Sequence, residues 1–378
     1  MSKIEMHLIE LITQNKSLNE ICDILNLSHR QLYKHILNLK NNGYTLTRNY
    51  YYDGNIFYQK INDSFNQSVN TITINMNDDQ NKFRAIVISD QHVGCDKQRL
   101  DLINQIYDYC IKNNINIILN TGDLVDGWLG PNKKINKDIE HQLTYLLNRY
   151  PFDRNILNFI CLGNHDINPV KNFGINLKTI LENYRHDLIA FTSGKGQINI
   201  KSDQIVMCHQ LEHKVHNLGD FKNSIILEGH HHKFTTSFNH NLKNNLIFVP
   251  SLSNIYTDKT IQMPSALVME LDLEHEYFTH GVVSQLISDG KKFIKINEIR
   301  LLNLHNKNMH KKKNTAQNIS PQSTIQNTVN NENLEQVSTT VNDENSTNPK
   351  VHSKSSDLER MLADFKEKDK LQRRYKYE

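Results

Sequence analysis

Residues 83–126 read FRAIVISDQHVGCDKQRLDLINQIYDYCIKNNINIILNTGDLVD. Two short apolar runs, RAIVIS and INIILN, flank a stretch from about Lys97 to Lys112 whose apolar residues recur at helical spacing. Both runs end in clusters of Asp, Asn or His. The same unit recurs downstream: a helical stretch near Ile139 to Leu147 leads into NILNFICL, and QIVMC, SIILE and NLIFV follow. Strands alternating with helices predict an α/β arrangement, and polar clusters at strand carboxyl ends fall where open sheets present their binding crevice. From Ala266 to Leu302, ALVMELDL and KFIKINEIRLL alternate as closing strands do.

Upstream the pattern differs. Residues 3–14 carry Ile4, Leu8, Leu11 and Ile12 on one helical face. Ser17 caps a second helix with Ile21, Ile24 and Leu25 inward, ending at Asn26, and Ser28 caps a third from His29 to about Asn41. YTLTRNYYYDGNIFYQKI then reads as two strands joined by the turn dipeptide Asp53-Gly54. Three helices and a hairpin resemble the small winged helix-turn-helix domains of bacterial regulators, assigned here to residues 1–60. The third helix carries Arg30, Lys34 and Lys40 with two histidines and no acid, which suits contact with a nucleic-acid backbone. The same fold also serves as an interaction or dimerisation module, and the segment as a whole is only slightly basic. The polar stretch 61–82 reads as a linker.

The chain has 378 residues, 44 basic against 41 acidic, so net charge alone indicates no polyanionic partner. Its five cysteines are scattered and form no CxxC pair, which argues against a disulfide framework and predicts a reducing, cytoplasmic setting. The amino terminus lacks the apolar run and cleavage site of a secretion signal. Beyond Leu302 the sequence turns to Asn, Gln, Ser and Thr, too poor in large apolar residues to bury a core. Residues 304–378 therefore read as a mostly disordered tail, with a terminal helix at 357–375 that docks on an unknown protein or forms transiently.

Five segments stand in order: Asp90-Gln91-His92, Gly122-Asp123-Leu124-Val125-Asp126, Gly163-Asn164-His165-Asp166, His209 and Gly229-His230-His231-His232. Two divalent cations about 3.5–4 Å apart need roughly seven protein donors, one of them bridging, and carboxylates, imidazoles and an amide oxygen supply that number. The series DxH, GDxxD, GNHD, H and GHxH resembles the calcineurin-like metallophosphoesterase superfamily. That resemblance implies a metallophosphoesterase-type β-sandwich flanked by helices over residues 83–303. It assigns Asp90, His92 and His232 to one metal and Asn164, His209 and His230 to the other, with Asp123 bridging. The metals are expected to be Mn, with Fe, Zn or Co as alternatives. A hydroxide shared between them would attack phosphorus, His165 would stabilise charge or protonate the leaving group, and Asp166 would orient His165. Asp126 reads as a supporting residue. His231 is the variable position of GHxH, and His213 and His216 compete with His209, which is preferred because it ends QIVMC. His141 and His240 read as surface residues.

Phosphoprotein phosphatases of the superfamily carry GDxVDRG, whereas Gly127 and Trp128 follow here, which counts against a phosphoprotein substrate. The amino-terminal segment points instead to a nuclease or phosphodiesterase acting on nucleic acid. Trp128 reads either as a base-stacking contact or as packing, and Lys133, Lys134 and Lys137 as a backbone track or a solvated flank. The alternatives are a nucleotide or small-molecule phosphoesterase with a regulatory helix-turn-helix, and a DNA-binding regulator with a phosphoesterase-like sensor. A homodimer is a further expectation.

Overall fold

Serines start the first three helices. Ser2, Ser17 and Ser28 each accept a hydrogen bond from the backbone three residues on, and Glu5, Glu20 and Gln31 reach back to the capping residue. These reciprocal pairs satisfy two orphan N–H groups per helix and set α1 (Lys3–Thr13), α2 (Leu18–Leu25) and α3 (His29–Asn41). Asn26, left-handed at φ 49°, ends α2. A hairpin follows, β1 (Leu46–Tyr51) and β2 (Ile56–Lys60), turning at Asp53-Gly54. The computed structural model, which shows these elements, describes residues 1–60, 70–127, 138–210, 223–254 and 263–302 together with Leu304. Trp128, Lys133, Lys134, Lys137, His213, His216 and the proposed terminal helix lie outside the described residues.

The stretch read as linker is in part a strand. β3 (Thr71–Asn75) pairs in parallel with β1 on one side and with β8 (Lys195–Ile200) on the other. Its polar composition hid it, because only Ile72 and Ile74 carry an apolar pattern, yet Ile74 is fully buried. Through β3 the hairpin joins an eight-stranded sheet that continues with β9 (Asp203–Cys208), β10 (Ile225–Glu228), β12 (Asn244–Phe248) and β11 (Thr235–Asn239). A second sheet has seven strands in the order β15 (Phe293–Arg300), β14 (Tyr277–Ser288), β13 (Ser265–Glu274), β4 (Lys82–Ile88), β5 (Ile117–Asn120), β6 (Leu157–Ile160), β7 (Leu188–Ala190).

Between the sheets lies one core. Ile74, Ile198, Ile205, Met207 and Leu227 of the first sheet belong to it with Phe83, Val87, Leu119 and Phe159 of the second. Tyr50 of the hairpin meets Phe159 edge-on across the sandwich, with ring centroids 5.4 Å apart. Leu8, Leu32 and Ile36 of the first helices are part of the same cluster. β5 and β6, parallel and buried at every residue, are largely apolar because both their faces are covered, and the one polar residue inside β6, Asn158, donates to the Tyr150 hydroxyl. The helices α4 (Leu100–Asn113), α5 (Ile139–Arg149), α6 (Asn164–Phe173) and α7 (Leu177–Tyr184) complete the unit. No helix among the described residues is long and apolar enough to cross a membrane.

Residues 1–60 thus do not stand apart from the rest. Met1–Asn306 forms one compact unit. Asn19 donates to Arg154 O and to Asn155 Oδ1, and Arg154 pairs with Asp23 at 3.0 Å. Gly54, at φ 85°, sits so close to Asn155 that a Cβ would stand 1.9 Å from its carbonyl oxygen. The expected nucleic-acid helix is itself engaged along one side. His29 of α3 meets His186 ring on ring, Tyr33 is buried, and the Arg30 guanidinium lies 5.8 Å over the Tyr184 ring at the end of α7. Arg30, Lys34 and Lys40 remain exposed, but α3 is packed against α7 rather than presented freely.

A shared core predicts shared unfolding. Ile74→Ala, at the strand where the amino-terminal segment joins the sandwich, should cost roughly 3 kcal/mol and lower the midpoint of a single urea transition. Circular dichroism and tyrosine fluorescence should move together. Two separated transitions, with only the helical one shifting, would show that residues 1–60 fold as an independent domain.

Candidate metal centre

The motif residues follow the carboxyl ends of five strands, three in one sheet and two in the other. Asp90 and His92 follow β4, Asp123 follows β5, Asn164 and His165 open α6 after β6, His209 follows β9, and His230 and His232 follow β10. Backbone bonds continue the β4–β5 pairing into the loops: Asp90 N–H donates to Gly122 O at 2.9 Å, His92 N–H to Asp123 O at 3.0 Å and Val93 N–H to Leu124 O at 3.0 Å. The side chains are aimed by an uncommon backbone. Asp90, His92, Asp123, His230 and His232 all take left-handed φ values, between 46° and 67°. Non-glycine residues adopt that region at a cost of order 1–3 kcal/mol each, which their surroundings must offset.

Three clusters result, in each of which the potential ligand atoms lie within 4.8 Å of one another: Asp90, His92 and His232; Asp123, His209 and His230; and His92, Asp126 and His165. Asp90, Asp123 and His209 are almost fully buried. Asp123 is central. Its Oδ2 lies 3.0 Å from His209 Nε2, 3.8 Å from His92 Nε2 and 3.9 Å from His165 Nε2, and its Oδ1 accepts the His165 N–H at 3.0 Å. Gly163 keeps this approach open, since a Cβ there would stand 2.0 Å from Asp123 Oδ1.

Charge follows geometry. Burial alone would push the Asp90 carboxyl up, but His232, His209 and His92 hold it well below the usual carboxylate range. Asp123 is held down in the same way, by His209 and His92 against burial. Burial works to lower His209, yet the Asp123 and Asp90 carboxylates raise it to about 9. Its Nδ1 lies 2.9 Å from Thr121 O; with the proton on Nδ1, that contact leaves Nε2 as the donor atom facing Asp123. His92 Nε2 and Asn164 Oδ1 are buried without a hydrogen-bond partner among the described residues. Orphaned atoms of this kind cost about 1–3 kcal/mol each, and divalent cations satisfy an imidazole nitrogen and an amide oxygen alike. The donor set fits such ions.

The structure moves one expected role. Asp166 does not orient His165. It is fully buried, and its oxygens accept N–H groups from Leu124 at 3.2 Å, Val125 at 3.0 Å and Gly163 at 2.9 Å. Burial and the Asp123 charge push its carboxyl up to about 6, against the pull of those three donors. His165 Nδ1 lies instead 2.5 Å from Asp126 O. The Asp126 carboxylate faces His92 Nδ1 at 3.4 Å, a supporting position. His231 turns away from the cluster toward Glu228, at 3.1 Å.

Other supports went unread in the sequence. Gln142 of α5 accepts the Gly127 N–H and donates to its carbonyl, Asn120 accepts the Gly122 N–H, and Ser251 Oγ donates to Asp90 O. Asn120 could have been noticed as the polar end of INIILN; nothing marks Gln142 or Ser251 among the many amides and hydroxyls of this chain.

A sequence match to the family "Calcineurin-like phosphoesterase" spans residues 83–234. No curated protein matches the chain. Among solved structures, Yfce, a phosphoesterase from E. coli, is 14% identical, with 58% of this chain and 100% of that chain covered and a TM-score of 0.38. A predicted phosphoesterase from Streptococcus pneumoniae is 15% identical, covering 57% and 98% at a TM-score of 0.32. Vacuolar Protein Sorting 29 from Cryptosporidium parvum is 14% identical, covering 58% and 99% at 0.35. The family match and the convergence of its motif residues at one buried centre agree: the chain carries a calcineurin-like metallophosphoesterase domain.

Proposed function

We propose that the chain is a two-metal phosphoester hydrolase that cleaves phosphodiester bonds in nucleic acid. The observation that carries the hydrolase reading is the pair of clusters around Asp90 and Asp123, brought together from four strand ends in a buried, carboxylate-rich centre. Asp90, His92 and His232 would hold one cation, Asn164, His209 and His230 the other, and Asp123 both. Divalent cations bound there supply Lewis acidity, which acidifies water for attack and offsets charge on the phosphoryl oxygens. Thr121 O fixes the His209 tautomer, and Asp126 O steers His165, whose burial lowers its pKa. With Nδ1–H donating to Asp126 O, the neutral imidazole presents a bare Nε2 that can take up a proton, and only the imidazolium so formed can give that proton to the leaving oxygen.

The nucleic-acid substrate rests on the winged-helix reading of residues 1–60 and on the absence of an arginine after GDLVD. A second reading, hydrolysis of nucleotides or other small phosphoesters, is favoured by one observation: α3 is packed along α7, so the amino-terminal segment is built into the enzyme rather than tethered to it. Hydrolysis by the Mn-loaded full chain of labelled single- and double-stranded DNA and RNA, beside bis-p-nitrophenyl phosphate, separates the two. We expect polymer cleavage, weakened in a salt-dependent way by Arg30→Ala combined with Lys34→Ala. Turnover of the small diester alone would replace the first reading with the second, and unchanged polymer affinity in the double variant would make α3 a scaffold.

A further inference from the structure

One face of α6 leads away from the centre. Asn164, Ile167, Asn168 and Lys171 stand at positions i, i+3, i+4 and i+7 of that helix, and together with His209 and Gln210 they line a cavity of about 390 Å³. That volume lies in the range that holds a small ligand or part of a chain. Its inner end is the candidate metal centre, since Asn164 and His209 belong to both. Its outer end is Lys171, about 10 Å farther along the helix axis by the rise of seven residues.

Among the described residues the lining contains no carboxylate. Lys171 is exposed and makes no hydrogen bond or ion pair among the described residues, whereas Lys178 on the neighbouring helix is paired with Glu182. Asn168 Oδ1 accepts from Asn172, which leaves the Asn168 amide N–H groups for another acceptor. Ile167, half-buried between them, offers apolar surface to a sugar or a base edge. An anion held at the metal centre and a second anion beside Lys171 therefore match one extended ligand lying along α6.

We infer that the α6 face is a substrate groove, in which Lys171 and Asn168 bind the phosphate next to the scissile one in a nucleotide strand. This rests on the proposed phosphodiesterase reading of the centre. Lys171 is a specificity residue: a strand presents a second charge at that distance, and a simple diester does not.

The test compares two thymidine tetranucleotides, one fully charged and one with neutral methylphosphonates at both linkages flanking the central one, using the Mn-loaded full chain and bis-p-nitrophenyl phosphate as reference. Lys171→Gln should lower kcat/KM on the charged strand about tenfold relative to the small diester, mainly through KM, and far less on the neutral strand. Lys171→Arg should restore most of the loss. Equal losses on both strands would overturn the inference, because a lysine that merely complements the α6 carboxyl terminus does not sense the charge of the flanking linkages. Binding of the charged strand to the metal-free chain, followed by fluorescence anisotropy, gives a readout independent of turnover. The slope of log K against log salt should flatten by about 0.7 in Lys171→Gln; an unchanged slope overturns the groove. If the wild-type chain turns over none of the substrates, the reading of the centre fails, while the salt slope still decides the role of Lys171.

Discussion

Asp123→Asn should lower turnover of a phosphodiester by about a thousandfold or more, roughly 4 kcal/mol of transition-state stabilisation, while leaving the thermal midpoint nearly unchanged. The asymmetry comes from what the two oxygens of Asp123 do. Oδ1 accepts the His165 N–H, a bond that an asparagine oxygen can also accept, so α6 keeps its attachment to the β5 loop. Oδ2 lies within 4 Å of the His209, His92 and His165 imidazoles and brings its negative charge to all three. Replacing it with an amide removes the charge on which two cations would converge and points N–H groups at nitrogens that need a positive partner. Kinetics on bis-p-nitrophenyl phosphate, metal stoichiometry and a melting curve on one preparation check the three parts. Normal turnover with two bound metals would remove Asp123 from the shared position.

The centre was legible because its chemistry restricts residue types and the fold restricts their places. A carboxylate, imidazole or amide that must face a cation from a strand end appears as an abrupt polar break after an apolar run, and Asp90, Asp123, Asn164, His209 and His230 all sit at or close to such breaks. Where packing rather than chemistry decides, the sequence said less. β3 carries two isoleucines in a polar stretch, and only its partners on both sides make it a strand. α6 was unread because Pro169 and several Asn and Asp residues argue against a helix, although a glycine cap and the Asp166 side chain define its start. Ile24, read as inward on α2, is 50% exposed, since the hairpin and the Asp153–Asn155 loop approach that helix from its other side.

Asp166 shows how sequence adjacency misleads. A carboxylate next to His165 in the chain suggested an orienting partner, but at the third position of α6 its side chain folds back to the Gly163 N–H at the helix start and goes on to meet Leu124 and Val125. It ties the GDLVD loop to the GNHD helix. Asp166→Ala should therefore behave as a structural lesion at the site. Three buried N–H groups lose their acceptor at about 1–3 kcal/mol each, offset in part by removing a desolvated carboxylate beside Asp123, for a net loss of roughly 3 kcal/mol. In a unit of this size that is a fall of about 5 °C in Tm. Metal affinity should fall with it, because Asp123 and Asn164 stand on the two segments released. Asp166→Asn, which keeps one acceptor oxygen, should recover part of the loss. The contrasting outcome is equally readable: wild-type Tm and metal affinity with an altered pH profile of kcat would mean that Asp166 acts through His165 after all, and that the three backbone bonds contribute little.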